Sequence, residues 1–285
     1  MKKLSFIIFI SLIALAGCKK EPELPPQPLM SANCFIISKA GPYSFETVKG
    51  EGSESVGEVV AAEVLWESFG TDKYPSAGSL IKSVSYRDGE IVFNATYKKG
   101  NAVIAAKDAS GEILWSWHIW MTDQPQEQEY HNNAGTVMDR NLGATSSTPG
   151  EVTSLGLLYQ WGRKDPFIGS SMIDMCVEAR SSLPSGHPGV QSDKKTGKVE
   201  YAIANPTTFI SYNYSNYDWY YTGSSSTDNT RWSASKKTIY DPCPRGWRVP
   251  ESSDIWTDAS GSAGEFTMTY DTDLEGMDFS GKFGS

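Results

Sequence analysis

Between Cys34 and Trp120 apolar side chains recur at about every second position, a period that lets a pleated strand bury one face and that no helix matches. Val84 and Tyr86 lead into Arg87-Asp88-Gly89-Glu90, after which Ile91, Phe93, Ala95 and Tyr97 alternate with smaller or polar residues. Asp-Gly supplies the positive φ that a tight turn between twisted strands needs, so this segment predicts a β-hairpin. A second hairpin is expected from Asn101–Lys107 and Glu112–Trp120, joined by Asp108-Ala109-Ser110-Gly111. Its second strand places Ile113, Trp115, Trp117 and Ile119 on one face as core candidates. Phe35, Ile37, Tyr43, Phe45 and Val48 predict further strands, which gives residues 31–120 an antiparallel β-domain of about six strands.

Past Trp120 the texture changes to loops rich in Asn, Gly, Ser and Tyr, which sets a boundary near residues 121–133 and a second, loop-rich α+β domain over 121–285. Short helices are expected at Leu155–Trp161, Ser171–Ala179 and Glu251–Ala259. The fold class is therefore mainly β or α+β. With 285 residues, 39% of them hydrophobic, the chain can bury a core without relying on disulfides. A formal net charge of −9, with no basic run longer than Lys-Lys, argues against nucleic acid as a partner.

Lys2 and Lys3 precede the apolar run Leu4–Ala16, which is too short for a hydrocarbon core of ~30 Å that takes ~20 helical residues to cross. Residues 1–17 read instead as an export signal. Leu15-Ala16-Gly17-Cys18 resembles the lipobox of bacterial lipoproteins. That resemblance implies cleavage before Cys18, a diacylglycerol on its thiol and a fatty acyl chain such as palmitate on the freed amine. Several chains at ~0.8 kcal/mol per buried CH₂ hold a protein firmly on a bilayer. Residues 18–30 carry Pro22, Pro25, Pro26 and Pro28 and read as an extended tether of ~3.1 Å per residue. Lys19-Lys20-Glu21-Pro22-Glu23 is similar to the surface-export signals of Bacteroidetes lipoproteins, which implies an outer-membrane lipid anchor and a body facing the cell exterior.

Three strings in the second half resemble the Fibrobacter-type major paralogous domain: Val137-Met138-Asp139-Arg140-Asn141-Leu142-Gly143-Ala144, then Gly156-Leu157-Leu158-Tyr159-Gln160-Trp161-Gly162-Arg163-Lys164-Asp165-Pro166-Phe167, then Asp241-Pro242-Cys243-Pro244-Arg245-Gly246-Trp247-Arg248-Val249-Pro250. That domain is common in Bacteroidetes surface lipoproteins, some of them grouped with fimbrial tip proteins. The resemblance implies a secreted or displayed module without an established activity, from which a binding or adhesion role in a fimbrium-associated setting is expected. The family's later aromatic strands and late cysteine have no counterpart before Lys282-Phe283-Gly284-Ser285, so the domain reads as incomplete at its C-terminal end. Trp247-Arg248-Val249-Pro250, followed by Ile255-Trp256, is also similar to a stretch of sulfatase-modifying and C-type-lectin-like folds, which implies an α+β module held by long loops.

Chemistry-bearing residues are sparse. Beyond Cys18 the cysteines are Cys34, Cys176 and Cys243, an odd number. Cys176 and Cys243 are the candidate disulfide for an exported protein, and Cys34 reads as a small buried hydrophobe. The three histidines, His118, His131 and His187, have no metal-ligand spacing, and His118 reads as structural. There is no Gly-x-Ser-x-Gly elbow and no phosphate-cradling glycine motif, so neither a catalytic site nor a cofactor is expected. Asp271, Asp273 and Glu275, with Gly276, follow the start of a calcium loop, but its twelfth position is Lys282, which favours a solvated acidic turn. Asp139, Arg140, Arg163, Lys164 and Asp165 read as internal ion pairs.

The densest aromatic stretch is Tyr212, Tyr214, Tyr217, Trp219, Tyr220 and Tyr221. Sugar rings stack their C–H faces on such planes, and Asn213, Asn216 and Asp218 would bond hydroxyls. The alternative is an irregular aromatic core. Together these features predict a lipid-anchored, surface-displayed binding or adhesion protein whose partners are the membrane and a glycan or a fimbrial protein. A carbohydrate-binding lipoprotein is the first alternative and a surface hydrolase the second.

Overall fold

The structure is a computed structural model that describes residues 24–69, 77–130, 135–148, 151–168, 187–233, 235–250, 266–271 and 276–281. The expected lipidation site Cys18, the helix over Ser171–Ala179 and that over Glu251–Ala259 lie outside the described residues. The fold is mainly β.

Eight strands build the first half: β1 (Gln27–Pro28), β2 (Cys34–Ile37), β3 (Gly41–Glu46), β4 (Ala61–Ser68), β5 (Ile81–Arg87), β6 (Glu90–Ala95), β7 (Gly100–Lys107) and β8 (Ile113–Met121). They form two four-stranded sheets, ordered β1-β3-β6-β5 and β2-β8-β7-β4. Both predicted hairpins are present, as β5–β6 and β7–β8. Asp88 and Gly89 turn the first with φ of 53° and 87°, the left-handed pair that a two-residue loop between twisted strands requires.

The expectation of a purely antiparallel domain is corrected at two places. β1 runs parallel to β3, and β2 runs parallel to β8. Successive strands β1, β2 and β3 alternate between the sheets, so each returns to its own sheet through the other, and no hairpin is available to reverse it.

The two sheets enclose one core. Phe35, Phe45, Phe93 and Trp117 meet within it, with Phe35–Phe45 ring centroids 4.5 Å apart and Phe45–Trp117 5.1 Å apart. As the alternation requires, Trp115, Trp117, Ile119 and Met121 of β8 face inward with Ala102, Ile104 and Ala106 of β7. The outer face of the same sheet carries Asn101, Ser116, His118 and Trp120, and all four are buried as well. What covers them is the second half of the chain.

That half contains β9 (Glu127–Tyr130), β10 (Gly135–Met138), a 3₁₀ turn (Val152–Ser154), β11 (Leu158–Tyr159), β12 (Pro166–Phe167), β13 (Gly189–Gln191), α1 (Val199–Ala204), β14 (Phe209–Ser211), β15 (Phe266–Asp271) and β16 (Gly276–Gly281). Its sheets are two-stranded: β9–β10, β11–β12, β13–β14 and β15–β16. The helix expected over Leu155–Trp161 does not form: the segment follows the 3₁₀ turn as irregular chain and contains β11. Gly156 explains the break: its φ is 76°, and a Cβ there would lie 2.7 Å from the Leu142 carbonyl oxygen.

Asn33 binds the two halves. Its amide donates to the carbonyls of Ile239 (2.7 Å) and Asp241 (2.8 Å), and its oxygen accepts from Trp115 Nε1 (3.2 Å). Ile203, Ile239 and Tyr240 also pack against the sandwich core. Asn33→Ala leaves these buried groups unpaired and is expected to lower stability by about 3 kcal/mol. Denaturant unfolding followed by tryptophan fluorescence and by far-UV circular dichroism should still give one coincident transition, because the halves share buried surface.

Candidate functional site

Of the three strings that resemble the paralogous domain, the first two lie on the outer face of β7 and β8, and the third meets β2, where Pro244 bridges to Cys34. Gly143 and Ala144 offer their carbonyls to Asn101 (2.8 Å) and to Trp120 Nε1 (2.8 Å). Lys164 reaches the carbonyl and hydroxyl of Ser116 (2.9 and 2.6 Å) and Asp165 (2.6 Å), while its ammonium lies 4.5 Å from the Trp115 ring centroid. In the third string Asp241 accepts from the amides of Cys243 (2.8 Å) and Val249 (2.9 Å), which ties the Pro-rich loop into a knot. Cys243 is buried and forms no disulfide among the described residues; Cys176, its expected partner, lies outside them.

Arg163, Lys164 and Asp165 are buried, as internal bracing requires. The Arg163 guanidinium donates to Gln160 Oε1 and to the carbonyls of Thr208, Ala202 and Asn205, the last two at the C-terminal end of α1. Burial pulls its pKa down to about 10, and burial also lowers that of Lys164 against the attraction of Asp165. Lys164→Met leaves the Asp165 carboxylate without its cation. Stability should fall by about 3–5 kcal/mol in a denaturant titration, and Lys164→Met combined with Asp165→Leu should recover most of the loss.

His118 has partners on both ring nitrogens. The Asn101 amide is spent on Gly143, so its oxygen faces His118 and accepts from Nε2–H at 2.9 Å. Nδ1 is then the acceptor for the Cys34 thiol (3.3 Å) and the Tyr159 hydroxyl (3.4 Å). Burial drives the imidazole pKa down to about 3 and raises the thiol and phenol, so all three stay neutral. An unfolded chain takes up this proton near pH 6.5, whereas the native one resists until about 3. Stability is therefore lost as pH falls through that window, by up to about 1.4 kcal/mol per unit. His187, also lowered by burial, acts in the same direction. His118→Gln should flatten the fall between pH 6 and 4 in pH-dependent denaturation.

The aromatic stretch after β14 divides in two. Trp219 is buried with Ala202 and Ile210; its indole N–H donates to the Trp161 carbonyl (2.6 Å), and its ring lies between Arg163 and Arg231 at 5.7 and 5.0 Å. Arg231 also sits 4.4 Å over half-buried Tyr220. The buried Nε and Nη2 of Arg231 have no hydrogen-bond partner among the described residues; Asp228 on Nη1 (2.9 Å) and the Trp219 and Tyr220 rings stabilise the charge instead. Tyr221 is half-buried. Thus Trp219, Tyr220 and Tyr221, expected on a binding surface, belong to the support beneath it.

Tyr212, Tyr214 and Tyr217 are different, at 47%, 72% and 79% exposed. They touch one another: Tyr212 meets Tyr214 edge-on at 5.2 Å and stacks on Tyr217 at 5.9 Å. The loop that mounts them is braced from within. Asn213 donates to the Ser192 carbonyl (2.8 Å) and accepts from the Ser215 amide (2.8 Å), Asn216 donates to the Tyr220 carbonyl (2.8 Å), and Asp218 accepts from the Tyr220 amide (3.1 Å). The side chains expected to bond sugar hydroxyls therefore hold the backbone. Tyr217 takes a φ of 54°, uncommon outside glycine, at the tip of this loop.

The chain was compared with protein-family models, curated proteins and solved structures. Nothing matches. The functional assignment therefore rests on the residues and their geometry.

A second aromatic feature escaped the sequence reading. The turn between β11 and β12 presents Trp161, 40% exposed, against Trp232 with centroids 4.9 Å apart, and a cleft of about 460 Å³ opens beside them next to Asn229, Thr230 and Ser233. Only the Gln-Trp-Gly turn hinted at it. Among the described residues no three His, Cys, Asp or Glu side chains converge as a metal site. The acidic stretch weighed as a calcium loop starts at Asp271, which ends β15 and pairs with Gly276 of β16; Asp273 and Glu275 lie outside the described residues.

Proposed function

We propose that this chain is a lipid-anchored, surface-displayed binding protein with an adhesive, non-enzymatic role, in which Tyr212, Tyr214 and Tyr217 form the contact surface. The observation that carries the reading is the exposure of three adjoining phenol rings, Tyr212 stacked on Tyr217 and edge-on to Tyr214, on a loop fixed from beneath. Leaving contiguous aromatic area in water is unfavourable, and folding stability gains nothing from it. Tyrosine offers broad area at little cost in rotamer freedom, with a hydroxyl at its tip, which suits recognition of a saccharide face. The anchor belongs to the same proposal: a lipid on Cys18 and a tether of residues 19–26, shorter than expected because Gln27–Pro28 joins the sandwich as β1, would hold such a surface away from a bilayer.

The favoured ligand is a neutral glycan; a fimbrial protein is the second candidate. Tyr214→Ala combined with Tyr217→Ala removes exposed rings only, so the thermal midpoint should stay within a few degrees of wild type. On a glycan array the wild-type chain should give hits that this double variant weakens about tenfold or more. Unchanged hits would overturn the assignment of the surface, and an array without hits would shift it to a protein ligand.

A further inference from the structure

We propose a second ligand site, for an acidic saccharide, in the cleft around Tyr97 at the seam between the sandwich and the second half of the chain. Seams of this kind are preferred positions for ligand pockets. The cleft encloses about 660 Å³ and takes one wall from the β6–β7 turn and Phe69, and the other from Asp123, Arg140, Thr145, Ser146, Glu151 and Thr153. Tyr97 is 85% exposed and, with Lys98, also borders a neighbouring depression of about 370 Å³ that contains Lys82 and Ser79. One aromatic ring thus stands on a ridge between two clefts.

The ridge is built to hold that ring outward. Thr96, just before it, is buried; its hydroxyl donates to the Ser79 carbonyl (3.0 Å) and accepts from the Lys98 amide (3.3 Å), and its own amide donates to the Leu80 carbonyl (2.8 Å). The strand on the far side of the depression is fixed in turn by the buried Glu67 carboxylate, which accepts from the amides of Ser79 (3.1 Å) and Ile81 (2.8 Å). At Gly100 a Cβ would lie 2.5 Å from the Ser68 carbonyl oxygen, so the turn is pressed against β4. Tyr97 is exposed on a rigid turn, which gives the ring no packing role in the fold.

Charge then selects the ligand. Lys99 and Arg140 converge on Asp123, and Arg140 also binds Asp139, so these carboxylates are met. The Lys99 hydrogen bond, reinforced by Arg140, holds the Asp123 carboxyl well below its ordinary range. Lys98 and Lys82 have no carboxylate within ion-pair distance among the described residues; the Lys98 ammonium lies 5.6 Å from the Phe69 ring centroid. In a chain of net charge −9, unmatched cations flank an exposed aromatic face. Thr145, Ser146 and Thr153 line the opposite wall; the Ser146 hydroxyl accepts from the Thr148 amide (3.0 Å) and that of Thr153 donates to Glu151 (3.2 Å), which leaves a hydroxyl proton on Ser146 and lone pairs on Thr153 for a ligand.

A sugar bearing a carboxylate meets all three elements: its C–H face on Tyr97, its charge on Lys98 and its hydroxyls on the Ser/Thr wall. A neutral sugar leaves the cations unused. An acidic peptide would use the lysines without needing the ring, and a polyphosphate has no C–H face to lay on Tyr97. This site shares no residue with the Tyr212–Tyr217 surface, and its test is independent of that reading.

Isothermal titration of the whole detergent-solubilised chain with trigalacturonate, galactotriose and tetraglutamate decides it. Trigalacturonate should bind at least about tenfold more tightly than either of the others, and less tightly as salt is raised. Tyr97→Ala and Lys98→Gln should each weaken it about fivefold or more without changing the thermal midpoint, and Tyr214→Ala with Tyr217→Ala should leave it unchanged. Equal affinity for galactotriose, equal affinity for tetraglutamate, indifference to both Tyr97→Ala and Lys98→Gln, or no saturable binding of trigalacturonate would each overturn the proposal.

Discussion

The burial of β7 and β8 on both faces organises everything else in this protein. An antiparallel strand pair in a two-layer sandwich ordinarily turns one face to water and carries polar residues there. Here the outward face is closed by loops of the second half, and the polar residues it bears are satisfied within the protein: Asn101 by Gly143, Ser116 by Lys164 and Asp165, His118 by Asn101, Cys34 and Tyr159. The loops have little regular structure of their own, and the sheet serves as the surface against which they become ordered. Buried polar groups that are left unpaired cost far more than paired ones gain, so each of these contacts specifies the arrangement more than it strengthens it.

Local features of the sandwich were legible because they depend on neighbours in sequence. Alternation marked β5 to β8, Asp88-Gly89 marked a turn, and Trp115, Trp117 and Ile119 were identifiable as core. The parallel pairings of β1 with β3 and of β2 with β8 left no such mark, since they join segments far apart in the chain whose contacts are set by the sandwich as a whole. The second half was harder still. Leu155–Trp161 has helical spacing, yet Gly156 must pass so near Leu142 that the backbone is forced to positive φ. Buried Arg163, Lys164 and Asp165 could be read as ion-paired, but their partners at Thr208, Ala202 and Ser116 are tertiary.

The aromatic loop shows the same limit at a finer scale. Six rings and three polar residues within ten positions read as a single surface, but the loop's geometry assigns alternate duties. Trp219 faces inward between two guanidinium groups, Asn213, Asn216 and Asp218 turn to the backbone, and the tyrosines on the other side of the loop are left in solvent. A binding surface made this way is rigid without being part of a regular element, which lowers the ordering cost of association.

Closing a sheet on both sides removes the usual safeguard against mispairing, because neither face of the strand is marked by water. Were β8 to slide one residue against β7, its tryptophans would remain covered, and hydrophobicity alone would hardly object. The slide would instead carry Ser116 and His118 into the apolar interior, away from Lys164 and Asn101, and bring indoles against groups built to receive a hydroxyl and an imidazole. A handful of polar atoms thus acts as a keying device, rejecting alignments that the greasy majority of the strand would accept.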